Sequence, residues 1–211
     1  MGRIWFFAIF VVALAALMSA YAYPMVGDEV ASHWNAKGEV NGYMSRSWGL
    51  FLLPAFMAGL VVLFAVIPSI DPLRKNIEGF RNYYEGFIAL ILLFMLVLHA
   101  QTILWNLGLQ VSPAKTMPPM LGVLFYGVGM LLEKSKRNWF IGIRTPWTLS
   151  SDIVWDKTHK LGAKLYKICG ALSFAAILFG GYEIIVSVAP ILISSAYLLI
   201  YSYLEYRKIN P

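Results

Sequence analysis

The sequence predicts an all-α membrane protein. We expect six transmembrane helices, both termini cytoplasmic, and a structured cytoplasmic loop or interfacial helix between helices 4 and 5. Three observations carry this. Six apolar runs approach or exceed the ~20 residues that a helix needs to cross a bilayer. Of 211 residues, 59% are hydrophobic and only 13% are charged, against about 25% charged in a soluble domain. The seventeen Lys and Arg also divide very unevenly once the chain is threaded through six spans. Strands of a membrane barrel alternate polar and apolar residues, and these runs do not.

The first span is expected over 4–23, uncharged and preceded by Arg3. Ala20-Tyr21-Ala22 resembles a signal-peptide cleavage site, but the apolar run exceeds the usual h-region of ~7–15 residues, which favours a retained span. Residues 24–48 form a polar connection broken by Pro24, Gly27, Gly38 and Gly42, where Asn41-Gly42 signals a tight turn and hence a small hairpin or folded loop. The second span covers 49–70, with Pro54 in its first turns and Pro68 closing it. After a polar loop at 71–85, the third span covers 87–107 and carries His99, Gln101 and Asn106.

A turn at 108–116 leads to the fourth and shortest span, 117–132, opened by Pro118-Pro119. The long loop 133–164 follows. The fifth span is expected over 165–187 and the sixth over 188–206, separated around Ala189-Pro190, with a tail at 207–211. Ala171 with Ala175, and Ala176 with Gly180, provide the four-residue small-residue spacing that lets helices approach closely. Residues 1–70 read as an N-terminal helical hairpin and 71–211 as a four-helix region, together one integrated bundle.

On this threading one side holds Arg3, three bases in 71–85, seven in 133–164, Lys167 and the two of the tail, fourteen of the seventeen, and the other only Lys37, Arg46 and Lys115. The positive-inside rule places the fourteen in the cytoplasm. This asymmetry accounts for the net charge of +6 without nucleic acid as a direct partner. Cys169, the single cysteine, lies in an apolar run and reads as a packing residue.

The chain departs most from a plain membrane scaffold at 138–162, which gathers Arg144, Trp139, Trp147, Trp155, His159 and several Ser, Thr and Asp residues. Thr145 precedes proline and must be extended. Ser150 or Ser151 ahead of Asp152 is a good helix start. From there Val154, Thr158, Leu161, Leu165 and Ile168 mark one face of a helix running into the fifth span, with an interfacial helix on the inner leaflet as the expected form. Arg144 offers a fork of donors suited to carboxylate or phosphate. It either meets a lipid headgroup or an acidic partner, or pairs internally with Asp152 or Asp156 and locks the loop.

The run Gly142-Ile143-Arg144-Thr145-Pro146-Trp147-Thr148-Leu149-Ser150, preceded by Asn138 and followed by Val154-Trp155, Thr158-His159 and Gly162, resembles the signature of the SdpI family. His33-Trp34-Asn35, Gly38 and Gly42-Tyr43 resemble the short extracytoplasmic motif that often precedes it. The resemblance implies a multi-pass immunity and signalling protein. Such a protein gives immunity to a secreted toxic peptide, met near 24–48, and holds a small DNA-binding repressor at the cytoplasmic loop. The residues this assigns to a partner are Asn138, Gly142, Arg144, Thr145, Pro146, Trp147, Thr148, Ser150, Trp155 and His159 inside. Outside they are His33, Trp34, Asn35, Gly38 and Tyr43.

The alternative is a small transporter or lipid-handling protein using an intramembrane polar path near His99, Gln101 and Glu183, the last expected inside span five. Polar groups at membrane depth usually face the bundle interior, and inter-helix bonding is the plainer role. No zincin, hydrolase or phosphate-loop motif is present, and the histidines fall at three depths, so no enzyme activity, cofactor or metal is expected.

Overall fold

The computed structural model describes residues 2–209, so Asn210 and Pro211 of the expected tail lie outside the described residues. Eight helices and one hairpin follow in order: α1 (Arg3–Ala22), β1 (Glu29–Trp34), β2 (Val40–Ser45), α2 (Arg46–Ile70), α3 (Arg74–Glu78), α4 (Arg81–Asn106), α5 (Pro113–Lys134), α6 (Pro146–Ser150), α7 (Asp152–Ala175) and α8 (Glu183–Ile209). Single 3₁₀ turns extend α1 and α7. Six of the helices are long and apolar enough to cross a membrane, and the chain is a multi-pass membrane protein.

The helices sort their residues by size. In α1 the buried face is Ile4, Ala8, Val11, Ala15, Ser19 and Ala22, while Phe6, Phe10 and Leu17 point outward. Lipid is as apolar as leucine, so small residues go inside because they let backbones close up, and bulky ones lie against acyl chains. The tightest crossing is α5 on α7. A Cβ on Gly170 would lie 2.7 Å from the Gly122 carbonyl oxygen, and one on Gly129 would lie 2.8 Å from that of Ala163.

Asn106 docks the hairpin onto the bundle. Its side-chain amide accepts from Ala31 N–H at 2.8 Å and donates to the Ala31 carbonyl at 3.0 Å, pairing with β1 as a strand would. The turn of the hairpin is Asn35–Glu39, where Asn35 Oδ1 accepts from the N–H groups of Lys37 and Glu39 at 2.9 and 3.0 Å. Asn41-Gly42, expected as the turn, lies in β2 with Gly42 opposite His33. The side-chain cap of Asn35 and the left-handed φ of 79° at Gly38 place the reversal earlier.

Other boundaries also move. Because α2 begins at Arg46, Pro54 lies in its interior and Pro68 falls before its end. Likewise α5 begins at Pro113, which leaves Pro118 and Pro119 inside it, and its 22 residues are the fewest of the six spans, as expected. The last two spans separate at residues 179–182, around Gly180-Gly181, and Pro190 sits inside α8. Neighbouring helices re-satisfy the backbone that a proline frees in a membrane bundle, whereas two adjacent glycines leave the chain free to reverse. Glu183 therefore opens α8 and does not lie within the fifth span.

The buried face of α7 is Val154, Trp155, Thr158, His159, Gly162, Ala163, Cys169, Gly170 and Ser173. Ile168 is exposed, because from Gly162 onward the packed side is made of small residues. Of the two small-residue pairs expected to pack, Ala171, Ala175 and Gly180 are exposed, and the close approach is made by Gly122, Gly129, Ala163 and Gly170 instead.

Candidate functional site

Two clusters stand at opposite ends of the bundle. At the end holding the fourteen bases, residues 135–151 fold into a seat closed on itself. Asn138 is fully buried. Its Oδ1 accepts from Phe140 and Ile141 N–H at 2.9 and 2.6 Å, and its Nδ2 donates to the carbonyls of Lys136 and Ile141 at 2.8 and 2.9 Å. That arrangement uses both donors and both lone pairs of the amide.

Trp155 is fully buried, and its Nε1 donates to the Ser135 carbonyl at 3.2 Å. Its ring stacks on His159, with centroids 3.9 Å apart and planes at 14°. His159 Nε2 accepts from Ile143 N–H at 2.9 Å, and Nδ1 lies 2.9 Å from the Trp155 carbonyl oxygen. A carbonyl only accepts, so Nδ1 carries the hydrogen and Nε2 the lone pair, and the ring is neutral in one tautomer. Gly142, at φ 119°, lies so close that a Cβ there would approach His159 Nε2 to 2.4 Å.

A capping box opens α6. Thr148 N–H donates to Thr145 Oγ1 at 3.1 Å, Thr145 N–H donates to Thr148 Oγ1 at 2.9 Å, and Pro146 takes the first helical position. Thr148 Oγ1 donates to the Ile143 carbonyl at 2.8 Å. From α8, Ser202 Oγ meets Thr145 Oγ1 at 3.1 Å and Tyr203 packs on Trp147, centroids 5.0 Å apart. Ser150 Oγ donates back to the Pro146 carbonyl, and Ser151 is the N-cap of α7. From Asp152 the helix runs without a break into the fifth span.

Arg144 does not pair with Asp152 or Asp156. Its guanidinium donates to the Trp139 carbonyl at 2.8 Å and is otherwise exposed. Arg137 takes the Asp152 carboxylate instead, Nε to Oδ1 at 2.7 Å, and also donates to the Leu149 carbonyl at 2.9 Å. Two further tethers come from far along the chain. Buried Asp71 accepts from Trp139 N–H at 2.9 Å, and Asn76 Nδ2 donates to the Arg137 carbonyl at 2.6 Å. Sequence reasoning missed Asp71, Asn76, Arg137 and Ser202. Asp71 carried one usable signal, an Asp just before a proline and a helix, where its Oδ1 accepts from Leu73 N–H.

Of the ten inner residues singled out above, Asn138, Thr145, Thr148, Trp155 and His159 are therefore buried in the seat, with Gly142 and Trp147 half-buried in it. Arg144, Pro146 and Ser150 face outward, beside Trp139 and Ile153.

At the opposite end a cleft of about 650 Å³ opens between the hairpin and α4, α5 and the start of α8, lined among others by His33, Trp34, Asn35, Gln101, Met117 and Ile184. Trp34 packs edge-on against Trp105, centroids 5.5 Å apart. Its Nε1 is buried and has no hydrogen-bond partner among the described residues. His33 Nδ1 meets Asn41 Oδ1 at 2.6 Å, Tyr43 is exposed, and Gly38 abuts Ser112, whose Oγ would lie 2.2 Å from a Cβ there.

The intramembrane polar residues are not brought together. His99 Nε2 meets Ser19 Oγ at 2.8 Å and the Ala15 carbonyl at 3.1 Å, joining α4 to α1. Gln101 Oε1 accepts from Thr116 Oγ1 at 2.7 Å, joining α4 to α5. Glu183 lies at the start of α8.

Residues 134–202 match the SdpI/YfhL protein family. Over 204 residues the chain is 26% identical to the immunity protein SdpI of Bacillus subtilis (strain 168), covering 96% of each chain. Both findings are likenesses to SdpI-family proteins. The SdpI match begins at Lys134, one residue before the seat, and ends at Ser202, the α8 residue that meets Thr145. A second match, to a domain of unknown function (DUF1648), covers 10–58 and so includes the whole hairpin. The two matches therefore contain the seat and the hairpin side of the cleft. No solved structure matches the chain.

Proposed function

We propose that this chain is a membrane immunity protein of SdpI type, with the base-rich end and both termini in the cytoplasm. It protects the cell against a secreted toxic peptide met at the hairpin cleft, and it holds a small DNA-binding repressor against the outward side of the inner seat. The observation that carries this reading is the likeness to the immunity protein SdpI along nearly the full length of both chains. Two features of the geometry support it. The cleft faces outward on this orientation and is lined by Trp34, whose buried indole N–H has no hydrogen-bond partner among the described residues. At the other end a rigid seat presents Trp139, Arg144 and Ile153 to the cytoplasm, and tryptophan and arginine are the residues most enriched where proteins dock.

Expression in a sensitive host challenged with the membrane-active peptide is expected to raise survival, and no gain in survival overturns the reading. Trp34→Phe removes the unpartnered N–H and keeps most of the ring. Its detergent-phase melting temperature is expected to hold or rise, since an unpaired buried donor is destabilising, while protection falls about tenfold through the lost hydrogen bond. Undiminished protection would remove Trp34 from the peptide site.

Arg144→Ala is expected to leave the protein's abundance in the membrane unchanged, because an exposed side chain with one hydrogen bond contributes within about 0.5 kcal/mol. The same variant is expected to abolish co-sedimentation of the repressor with membranes from peptide-treated cells. Full co-sedimentation would move the repressor's contact elsewhere.

A further inference from the structure

A crevice of about 690 Å³ lies at the base-rich end, between α1, the end of α2, α3 and the start of α4, away from both clusters above. Its rim is Arg74, Lys75 and Arg81, and its floor includes Trp5, Val62 and Val66. The rim and the floor differ in kind. Val62 and Val66 are exposed on the flank of a membrane helix, whereas Arg74 and Lys75 are exposed on α3, beyond the end of that helix.

The rim bases are unequally engaged. Arg81 Nε donates to Glu85 Oε1 at 2.8 Å. The side chains of Arg74 and Lys75 have no ion pair or hydrogen bond among the described residues. Counting Glu78 on the rim and Glu85 behind it, three bases against two carboxylates leave a net charge of +1. An apolar trough under a rim of that charge, set where helix gives way to polar loop, complements a molecule with an apolar chain and a single negative charge at its head.

We propose that this crevice binds an anionic phospholipid, its phosphate held by Arg74 and Lys75 and one acyl chain laid along Val62 and Val66. Basic residues between transmembrane helices at the cytoplasmic surface attract such headgroups, and the volume is that of an ordinary small-ligand site. Trp5 sits where the glycerol region meets the chains, the level that indole rings favour. The inference does not depend on what the hairpin cleft or the inner seat recognises.

Native mass spectrometry of the purified full chain in detergent, with equimolar dioleoyl-phosphatidylglycerol and dioleoyl-phosphatidylcholine added, tests it. The chain is expected to retain phosphatidylglycerol preferentially, and Arg74→Gln/Lys75→Gln is expected to weaken that preference about fivefold for each base removed. Both positions are exposed, so circular dichroism and elution volume should not change. Lys160→Gln/Lys164→Gln removes two exposed bases from α7 and should leave the preference intact. Equal retention of the two lipids, an unchanged preference in the first variant, or an equal loss in the second each overturns the proposal.

Discussion

Trp155→Ala is expected to destabilise the protein by about 3–5 kcal/mol, the range for truncating a fully buried aromatic. The driving loss is contact, not transfer from water, so the bilayer around the bundle does not soften it. The indole is completely enclosed, and alanine leaves a void that α5, α7 and the loop cannot all collapse into. Two bonded groups also lose their partners. The Ser135 carbonyl gives up the Nε1 donor, and the His159 ring loses the surface on which it stacks. Guanidinium or thermal unfolding of the detergent-solubilised protein measures this. Trp155→Phe retains the stack without the N–H and is expected to lose about 1–3 kcal/mol, the cost of one unsatisfied buried carbonyl. A Trp155→Ala variant that melts with the parent would show that the seat is not part of the cooperative core.

Gly142→Ala is expected to be nearly as severe, at about 3 kcal/mol or more, from two separate causes. At φ 119° a side chain is strained whatever surrounds it. The new methyl group also falls 2.4 Å from His159 Nε2, and the ring has nowhere to retreat, stacked on one face and bonded at both nitrogens. Making room breaks the Ile143 N–H bond. The two causes separate in a double-variant cycle. Gly142→Ala/His159→Ala removes the clash but not the backbone strain, so its loss should fall short of the sum of the single losses by more than the ~0.5 kcal/mol allowed to independent sites. Strict additivity would rule out the contact as the reason for glycine at 142.

The spans were legible because a bilayer demands long apolar runs, and of the two serines expected to start α7 it is Ser151 that caps it. Local patterns failed where two signals competed. Asn41-Gly42 was the stronger turn signal on paper, yet the amide of Asn35 could reach two N–H groups, while Gly42 lies in β2 opposite His33. Pro190 looked like a stop, but a proline inside a membrane helix is tolerated, and Gly180-Gly181 was the actual break. The partners of the loop were hidden for a different reason. Asp71 and Trp139 are 68 positions apart, and no periodicity connects residues across that distance. The signature at 142–150 was visible at once, but its residue types alone could not show that Thr145 and Thr148 face inward while Arg144 faces out.

That division between inward and outward side chains has a consequence for how such a protein can diversify. The seat is assembled by groups that answer to one another, so a change in any of them must be met by a change in its neighbour. The side chains of Trp139, Arg144 and Ile153 are exposed instead, and Arg144 bonds only a backbone carbonyl. They can be exchanged without disturbing the groups beneath them, so the outward face of the socket can change while the socket itself is kept.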